Sequence, residues 1–124
     1  MKPITLHYVR MEQMNHHGSL YAGILTDWMT EAAFFGIARE IGRKDHIVMR
    51  AVQNLQFVQA AGLGTILDFR YEIVKVGKSS LTVAVEAADL FDAGKVYCSC
   101  QVSFVNTGED GKSCPHGFEA ADFV

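Results

Sequence analysis

The sequence predicts a single α+β domain in which a five-stranded antiparallel sheet wraps around one long helix. Two observations carry this prediction. One apolar segment of helical composition runs from about Tyr21 to Ile41, and it is followed by several segments with period-two alternation of apolar and polar residues. The chain has 124 residues, with both prolines near its ends and no repeat or linker between them. Residues 1–124 are therefore expected to form one domain.

The segment 21–41 contains no proline and ends before Gly42, a residue type that commonly terminates helices. Apolar side chains cover most of its circumference: Leu20, Tyr21, Ile24, Leu25, Trp28, Met29, Ala32, Ala33, Phe34, Phe35 and Ile37. Such a helix is expected to be buried, with any uncovered apolar face closed by a second copy of the chain. The sequence therefore predicts a homo-oligomer, a homodimer or a dimer of dimers.

The strands are predicted from alternation, since one face of a half-buried strand is apolar and the other polar. The inward residues are Leu67, Phe69, Tyr71 and Ile73, then Leu81, Val83, Val85 and Ala87, then Val96, Cys98, Cys100, Val102 and Phe104. Residues 47–58 form a less regular strand, so that the element order is strand, helix, four strands. Turns are predicted at 61–64, 77–79 and 92–94, and the tail 106–124 is predicted to be a turn and an irregular segment.

Charge and composition exclude several classes of partner. Eleven basic against 14 acidic residues give a formal charge of −3 without a basic cluster, so neither nucleic acid nor an anionic membrane is expected to bind. No segment resembles a membrane span or a secretory signal, which predicts a cytoplasmic protein. Three cysteines on such a chain predict free thiols, and the Cys98–Cys100 spacing, on an apolar strand face, does not favour a metal site.

Four polar residues interrupt the apolar helix and form one stripe at helical spacing: Thr26, Asp27, Thr30 and Glu31. One interpretation is a solvent-facing edge of the helix. The other is a polar seam inside a pocket, where a desolvated carboxylate among aromatic side chains would be suited to act as a base or a nucleophile.

The loop Asn15-His16-His17-Gly18-Ser19 precedes the helix and offers a second candidate site. Free backbone N–H groups at a helix N-terminus favour a developing oxyanion, and these loop side chains lie within reach of a substrate bound there. The simpler interpretation is an ordinary polar loop.

The segment from Asn15 to Ala33 resembles the Asn-x-x-Gly…Gly…Trp-x-x-Glu-Ala signature of hot-dog-fold acyl-CoA thioesterases, and Val76-Gly77-Lys78-Ser79-Ser80 is similar to a turn of the same family. The resemblance covers about Val9 to Val105. It implies a sheet wrapped around the helix, active sites at a dimer interface, and hydrolysis of a CoA thioester to a free acid and CoA without a bound organic cofactor.

The resemblance also implies site residues. Asn15 would polarise the thioester or position water, and N–H groups near Ala22 and Gly23 would bind the carbonyl oxygen. Many relatives carry Asp directly before the Glu-Ala pair, where this chain has Thr30. Glu31 is then the nearest carboxylate, with Asp27 as the alternative and Thr30 as a hydrogen-bonding partner of water or substrate.

For the CoA moiety, Lys78 is expected to meet a phosphate while Ser79 and Ser80 hydrogen-bond the nucleotide or pantetheine end. His17 and Arg50 are further candidates for contacts with CoA. A simple hairpin turn is the alternative interpretation of residues 77–80. The departure at Thr30 leaves a second function open, a non-catalytic acyl-CoA-binding module or sensor on the same fold, whereas the Asp-x-x-x-x-His pair of related hydratases is not found before the helix.

Overall fold

A computed structural model describes residues 1–123, and its five strands form one antiparallel sheet against one long helix. In chain order the elements are β1 (Lys2–Tyr8), α1 (Ala22–Ile41), β2 (Ile47–Phe57), β3 (Ile66–Val76), β4 (Ser80–Asp89) and β5 (Asp92–Asn106), with short 3-10 turns at Met11–Gln13 and Ala120–Phe123. The strand order across the sheet is β1-β3-β4-β5-β2. The predicted fold class is confirmed.

Helix α1 begins one residue after the predicted start and ends where the sequence indicates. Gly42 adopts the left-handed conformation at φ 77°, and its N–H donates to the carbonyl of Ala38 at 2.9 Å. A glycine takes this backbone conformation without steric cost, which explains why the helix stops there. Among the described helices, none is both long and apolar enough to cross a membrane.

The predicted inward faces of β3, β4 and β5 form the core against α1. Ile73 and Val96 of this face are half-buried, and its other eleven side chains are buried, namely Leu67, Phe69, Tyr71, Leu81, Val83, Val85, Ala87, Cys98, Cys100, Val102 and Phe104. Burial raises the pKa of the Cys98 thiol to about 12 and that of Cys100 to about 11, so both remain protonated at neutral pH. Both cysteines are free, and they pack as small apolar residues.

In the single chain α1 is buried on one side, and the uncovered apolar face that the sequence analysis assigns to a second copy is present. The sheet covers one side, where Leu25, Met29, Ala32, Ala33, Gly36 and Ile37 are buried. On the other side Phe35 keeps 42% and Tyr21 keeps 56% of its accessible surface. The reason is geometric, because one sheet contacts only one side of a helix about 10 Å across.

The predicted turn at 92–94 is displaced. The chain reverses at Leu90-Phe91, between the paired residues Asp89 and Asp92, and β5 has already begun at Asp92. The Asp89 carboxylate accepts the N–H of Phe91 at 2.9 Å, which stabilises the reversal there. Asp92 makes the equivalent bond to Gly94 N–H at 3.2 Å, and this local bond lies within the irregular start of the strand.

The C-terminal tail folds back over the β3–β4 turn. The N–H of His116 donates to the carbonyl of Lys78 at 3.2 Å. Its Nδ1 accepts the N–H of Phe118, so Nε2 carries the proton and donates to the Ser80 carbonyl at 3.1 Å. The tail is otherwise irregular as predicted, apart from the 3-10 turn at its end; Val124 lies outside the described residues.

Candidate active site

The loop before α1 is organised by the side chain of Asn15. Its Oδ1 accepts the backbone N–H of His17 at 2.9 Å and that of Ser19 at 3.2 Å, and the Ser19 hydroxyl lies at 3.3 Å. Gly18 allows this tight loop because it adopts φ 77°. With Oδ1 held by the loop, the Nδ2 amide group is the part of Asn15 that can donate to a substrate.

The start of α1 supplies backbone donors next to this loop. The first helical hydrogen bonds run from Ile24 and Leu25 N–H to the Tyr21 carbonyl, which leaves the N–H groups of Ala22 and Gly23 without an acceptor inside the helix. At Gly23 an added Cβ would lie 2.7 Å from Cε1 of Tyr21, so only glycine fits beneath that ring in its present position.

A cleft of about 250 Å³ lies between this loop, the helix start and the end of β2. Its polar lining comes from the side chains of Asn15, Ser19 and Gln59, and Leu25 and Phe57 contribute apolar surface. The structure thus brings Asn15 together with the N-terminus of α1, the two features that the sequence placed near each other. Amide donors beside an apolar wall suit a carbonyl compound with an apolar substituent.

The polar stripe of α1 divides into two kinds of residue. Thr26 donates its hydroxyl to the Ala22 carbonyl at 2.8 Å, and the Thr30 hydroxyl lies 3.0 Å from the Asp27 carbonyl. Both hydroxyl groups thereby use their protons in bonds to the helix backbone. Each oxygen can therefore only accept a hydrogen bond from a water or a substrate. Asp27 and Glu31 are exposed in the single chain, as the solvent-edge interpretation expects.

Glu31 does not point toward the cleft of its own chain. It follows Ala22 by nine residues, which places it about 13 Å further along the axis and about half a turn around it. Its Oε1 lies 3.8 Å from Nε2 of His7 on β1, and 51% of its side chain is exposed. The single chain therefore does not bring Glu31 and Asn15 to one point.

His7 is a candidate that the sequence analysis missed. Its ring stacks on Trp28 with centroids 4.3 Å apart, beside the carboxylate of Glu31. Burial lowers the pKa of His7, and the neighbouring Glu31 carboxylate opposes this only partly. No hydropathy signal points to it, because the apolar neighbours Leu6 and Tyr8 predict that His7 faces away from the helix.

The candidate CoA-binding residues occupy the tight β3–β4 turn. Gly77 N–H donates to the Ser80 carbonyl at 2.9 Å, and the Lys78 side chain is exposed at the tip. An added Cβ at Gly77 would lie 2.4 Å from the Ser80 hydroxyl, so a larger residue there would require this hydroxyl to rotate away. The tail contacts at Lys78 and Ser80 use only backbone carbonyls, which leaves the Lys78, Ser79 and Ser80 side chains outside those bonds.

The two remaining candidates lie on different parts of the surface. His17 is exposed in the Asn15 loop, with its ring 3.9 Å from that of His16. Arg50 is exposed on β2, at the edge of the sheet. In residues 1–123 no three His, Cys, Asp or Glu side chains converge in a group that could hold a metal ion.

Comparison with known proteins identifies the class to which this fold and site belong. Residues 17–90, more than half of the chain, match the Thioesterase superfamily. The chain belongs to this superfamily. The matched region runs from the loop before α1 through β4 and contains the helix start, the polar stripe and the β3–β4 turn. No curated protein sequence matches the chain.

Solved structures with the same fold are thioesterases of low sequence identity. A hexameric hot-dog-fold thioesterase of Campylobacter jejuni has 23% identity and a TM-score of 0.76, over 95% of this chain and 98% of that one. A hexameric thioesterase of Yersinia pestis has 16% identity and a TM-score of 0.80, over 92% and 93%. An acyl-CoA hydrolase of Staphylococcus aureus, solved with butyryl coenzyme A and coenzyme A, has 22% identity and a TM-score of 0.77, over 90% and 68%. These similarities establish the hot-dog fold of the chain.

Proposed function

We propose that this protein hydrolyses acyl-CoA thioesters to a free acid and coenzyme A. The observation that carries the proposal is the cleft at the N-terminus of α1 in a chain of the Thioesterase superfamily. The cleft offers amide donors at its rim and apolar side chains behind them, which suits a thioester carbonyl followed by an acyl group. The structural neighbour from Staphylococcus aureus, solved with butyryl coenzyme A, supports the substrate class.

In the proposed reaction, the thioester carbonyl oxygen accepts hydrogen bonds from the N–H groups of Ala22 and Gly23, with Asn15 Nδ2 as a further donor. The carboxylate of Glu31 takes a proton from water while the water oxygen attacks the carbonyl carbon. The tetrahedral oxyanion then collapses, the C–S bond breaks, and the proton on Glu31 passes to the departing CoA thiolate. Thr30 accepts a hydrogen bond from the attacking water. Direct attack by Glu31 is the nucleophilic alternative.

The site requires two copies of the chain. Because Glu31 lies about half a turn around α1 from its own cleft, the carboxylate that meets Asn15 comes from a second copy. Asp27, one turn earlier on the stripe, is the alternative carboxylate. The assembly is a homo-oligomer, and the hexameric neighbours from Campylobacter jejuni and Yersinia pestis favour a hexamer over a dimer of dimers.

The candidate CoA contacts lie outside the cleft, and the β3–β4 turn lies at the opposite end of the sheet from it, because Ser80 pairs with Val105 whereas Phe57 pairs with Cys98. The CoA moiety bound at one cleft therefore reaches the side chains of this turn on another copy of the chain. Lys78 meets a phosphate as a point charge, and Ser79 and Ser80 hydrogen-bond the nucleotide or pantetheine end, with His17 and Arg50 as further contacts.

In Lys78→Ala the KM for acyl-CoA should rise above the wild-type KM. The ratio of the variant KM to the wild-type KM should shrink as salt is added, because salt screens the charge of Lys78. An unchanged KM would remove Lys78 from the phosphate contact.

The first test is release of the free CoA thiol from short, long and aromatic acyl-CoAs by the purified protein without added cofactor. Glu31→Gln should abolish turnover while the oligomer stays intact, and Asp27→Asn is the matched control on the same stripe. Turnover that survives Glu31→Gln but not Asp27→Asn would assign the carboxylate to Asp27. Turnover that survives both would remove the stripe from the reaction.

Mixing two inactive variants tests the shared site. Asn15→Ala and Glu31→Gln each disable every site in their own oligomers. After unfolding and refolding together, mixed dimers would contain one intact site, which restores about a quarter of the wild-type turnover if pairing is random. Failure to restore turnover, with mixed oligomers confirmed by mass spectrometry, would place the complete site within one chain.

The second function that the sequence analysis leaves open rests on one observation, the threonine at the position where the family resemblance implies an aspartate. Thr30 carries no charge, and its hydroxyl proton is directed at the helix backbone. A non-catalytic acyl-CoA-binding module would bind substrate without turnover. Acyl-CoAs that raise the Tm of the protein but release no thiol would favour this function over hydrolysis.

A further inference from the structure

The imidazole of His7 contains a buried polar atom without a partner. Within residues 1–123, His7 Nε2 is the one buried side-chain nitrogen or oxygen that makes no hydrogen bond. Leaving such an atom unpaired costs stability, and native proteins rarely do so without a compensating use. The nearest charged group is the Glu31 carboxylate, whose Oε1 lies 3.8 Å away.

The orientation of the His7 ring is fixed by its neighbours. Trp28 stacks on one face with an interplanar angle of 8°, and Phe69 meets the ring edge-on at 85° with centroids 5.4 Å apart. These contacts fix the plane of the imidazole, and within that plane Nε2 lies on the side of Glu31. Glu31, with 51% of its side chain exposed, is the mobile member of the pair.

Only one charged group faces this imidazole in the part of the chain that the structure describes. From α1 it is Glu31, and from β3 the facing residues are Phe69 and Leu67, both apolar and fully buried. A small rotation of the Glu31 side chain closes the 3.8 Å gap to hydrogen-bond distance, and such bonds are often long before substrate binds.

We propose that His7 is a positioning residue for the Glu31 carboxylate, a role that rests on the proposed thioester hydrolysis. The neutral imidazole donates its Nε2 proton to Oε1 of Glu31. Oε2 is then left as the oxygen that takes the proton from water and later returns it to the CoA thiolate. His7 stays neutral throughout, and it touches neither substrate nor water.

The substitution that isolates this role is His7→Phe, because phenylalanine keeps an aromatic ring against Trp28 but has no nitrogen. A purely structural histidine predicts that this variant, freed of the unpaired atom, is at least as stable and fully active. We expect instead equal or higher Tm, nearly unchanged KM and a kcat lowered roughly ten- to a hundred-fold. His7→Gln, which restores a donor, should recover part of the loss.

The pH profile adds a second readout. A hydrogen bond to an ionised carboxylate favours its charged form, so its loss in His7→Phe should move the acidic limb of the kcat profile to higher pH. His46→Asn is the matched control, since His46 is exposed in a turn remote in sequence from the site. The proposal would be overturned by a folded His7→Phe protein whose kcat and whose acidic limb of the kcat profile both match those of the wild type.

The pairing can be tested without activity, which separates it from the proposed function. NMR titration of the His7 imidazole should give a lower pKa in Glu31→Gln than in the wild type, because the carboxylate that favours the protonated ring is gone. An identical pKa would overturn the pairing. If Glu31→Gln lowers the pKa of His7 but the wild-type protein hydrolyses no thioester, the proposed function is refuted, and the positioning role is refuted with it.

Discussion

Gly36 lets α1 pack closely against the Tyr71 ring of β3. A Cβ at this position would lie 2.7 Å from Cγ and Cδ2 of Tyr71. The Tyr71 ring is fully enclosed, and its hydroxyl donates to Glu40 Oε2 at 2.8 Å, so it has no room to move. Gly36→Ala should therefore lower the free energy of unfolding in urea by about 1–3 kcal/mol.

The control for this substitution is Gly62→Ala, where an added Cβ meets no atom within 4 Å and the backbone does not require glycine. Its effect should stay within about 0.5 kcal/mol of wild type. Equal losses in the two variants would mean that backbone freedom, and not crowding against Tyr71, explains Gly36.

His7 makes the stability of the protein depend on pH in a defined direction. Burial lowers its pKa below the usual 6.5, so the unfolded chain binds this proton more readily than the folded chain. The stability that the neutral His7 contributes is complete above pH 6.5. It is lost as the pH falls toward the pKa of His7 in the folded chain. The free energy of unfolding should decline more steeply between pH 7 and 5 in wild type than in His7→Phe, and parallel curves would contradict this.

Residue types alone predicted part of the site. Asn15 and the start of α1 were placed together because they are neighbours in the chain. His7 was missed since its partners, Trp28 and Glu31, lie more than 20 residues away, and since β1 reverses the usual pattern. Leu6 and Tyr8 are exposed while His7 faces the helix, so hydropathy alone gives the opposite orientation of this strand.

Elements were predictable where one face is buried against the core. The alternation in β3, β4 and β5 was correct at most positions, because these strands lie on one side against α1, but Thr82 and Tyr97, which it directs outward, are also buried. β2 was less regular for a structural reason, since its pairing with β5 shifts register twice and Asn54 adopts φ 53°. The β4–β5 turn was displaced because two aspartates, Asp89 and Asp92, each make a turn-type bond and local sequence does not decide between them.

The tail is attached to the body of the protein through Asn106. Its buried Nδ2 donates to the carbonyls of Cys114 at 3.0 Å and Pro115 at 3.3 Å, and its Oδ1 accepts from the Arg43 guanidinium.

Asn106→Ala should lower the free energy of unfolding by about 1–3 kcal/mol, because the two tail carbonyls and the Arg43 guanidinium lose their partner. Lys-specific protease should also cut faster after Lys112 in the tail. An unchanged cleavage rate would show that the bonds of His116 and of the Cys114 N–H hold the tail without the Asn106 side chain.

The whole molecule has an uncovered edge at β2. This strand is last in the sheet order and exposes Val48, Met49, Val52 and Phe57, each by 39–51%. Open strand edges with apolar side chains favour pairing with another chain. Val52→Lys should therefore reduce the size of the oligomer measured by light scattering, since it places a charge in that edge.

Phe91→Lys is the control for this effect, because Phe91 is 83% exposed in the β4–β5 turn, away from β2. It removes more exposed apolar surface than Val52→Lys does. An oligomer that dissociates in Phe91→Lys and persists in Val52→Lys would place the contact between copies at the turn and not at the edge strand.

The order of strands in the sheet also dictates an order of events during synthesis. β2 leaves the ribosome third among the elements, yet its one partner in the sheet, β5, is made after β3 and β4. β1 pairs with β3, and β3 with β4, as each emerges, so half of the sheet is complete while β2 has neither edge occupied. A nascent chain therefore carries an apolar strand without a partner until β5 appears, which is the interval when this protein is most exposed to aggregation and to holding by chaperones.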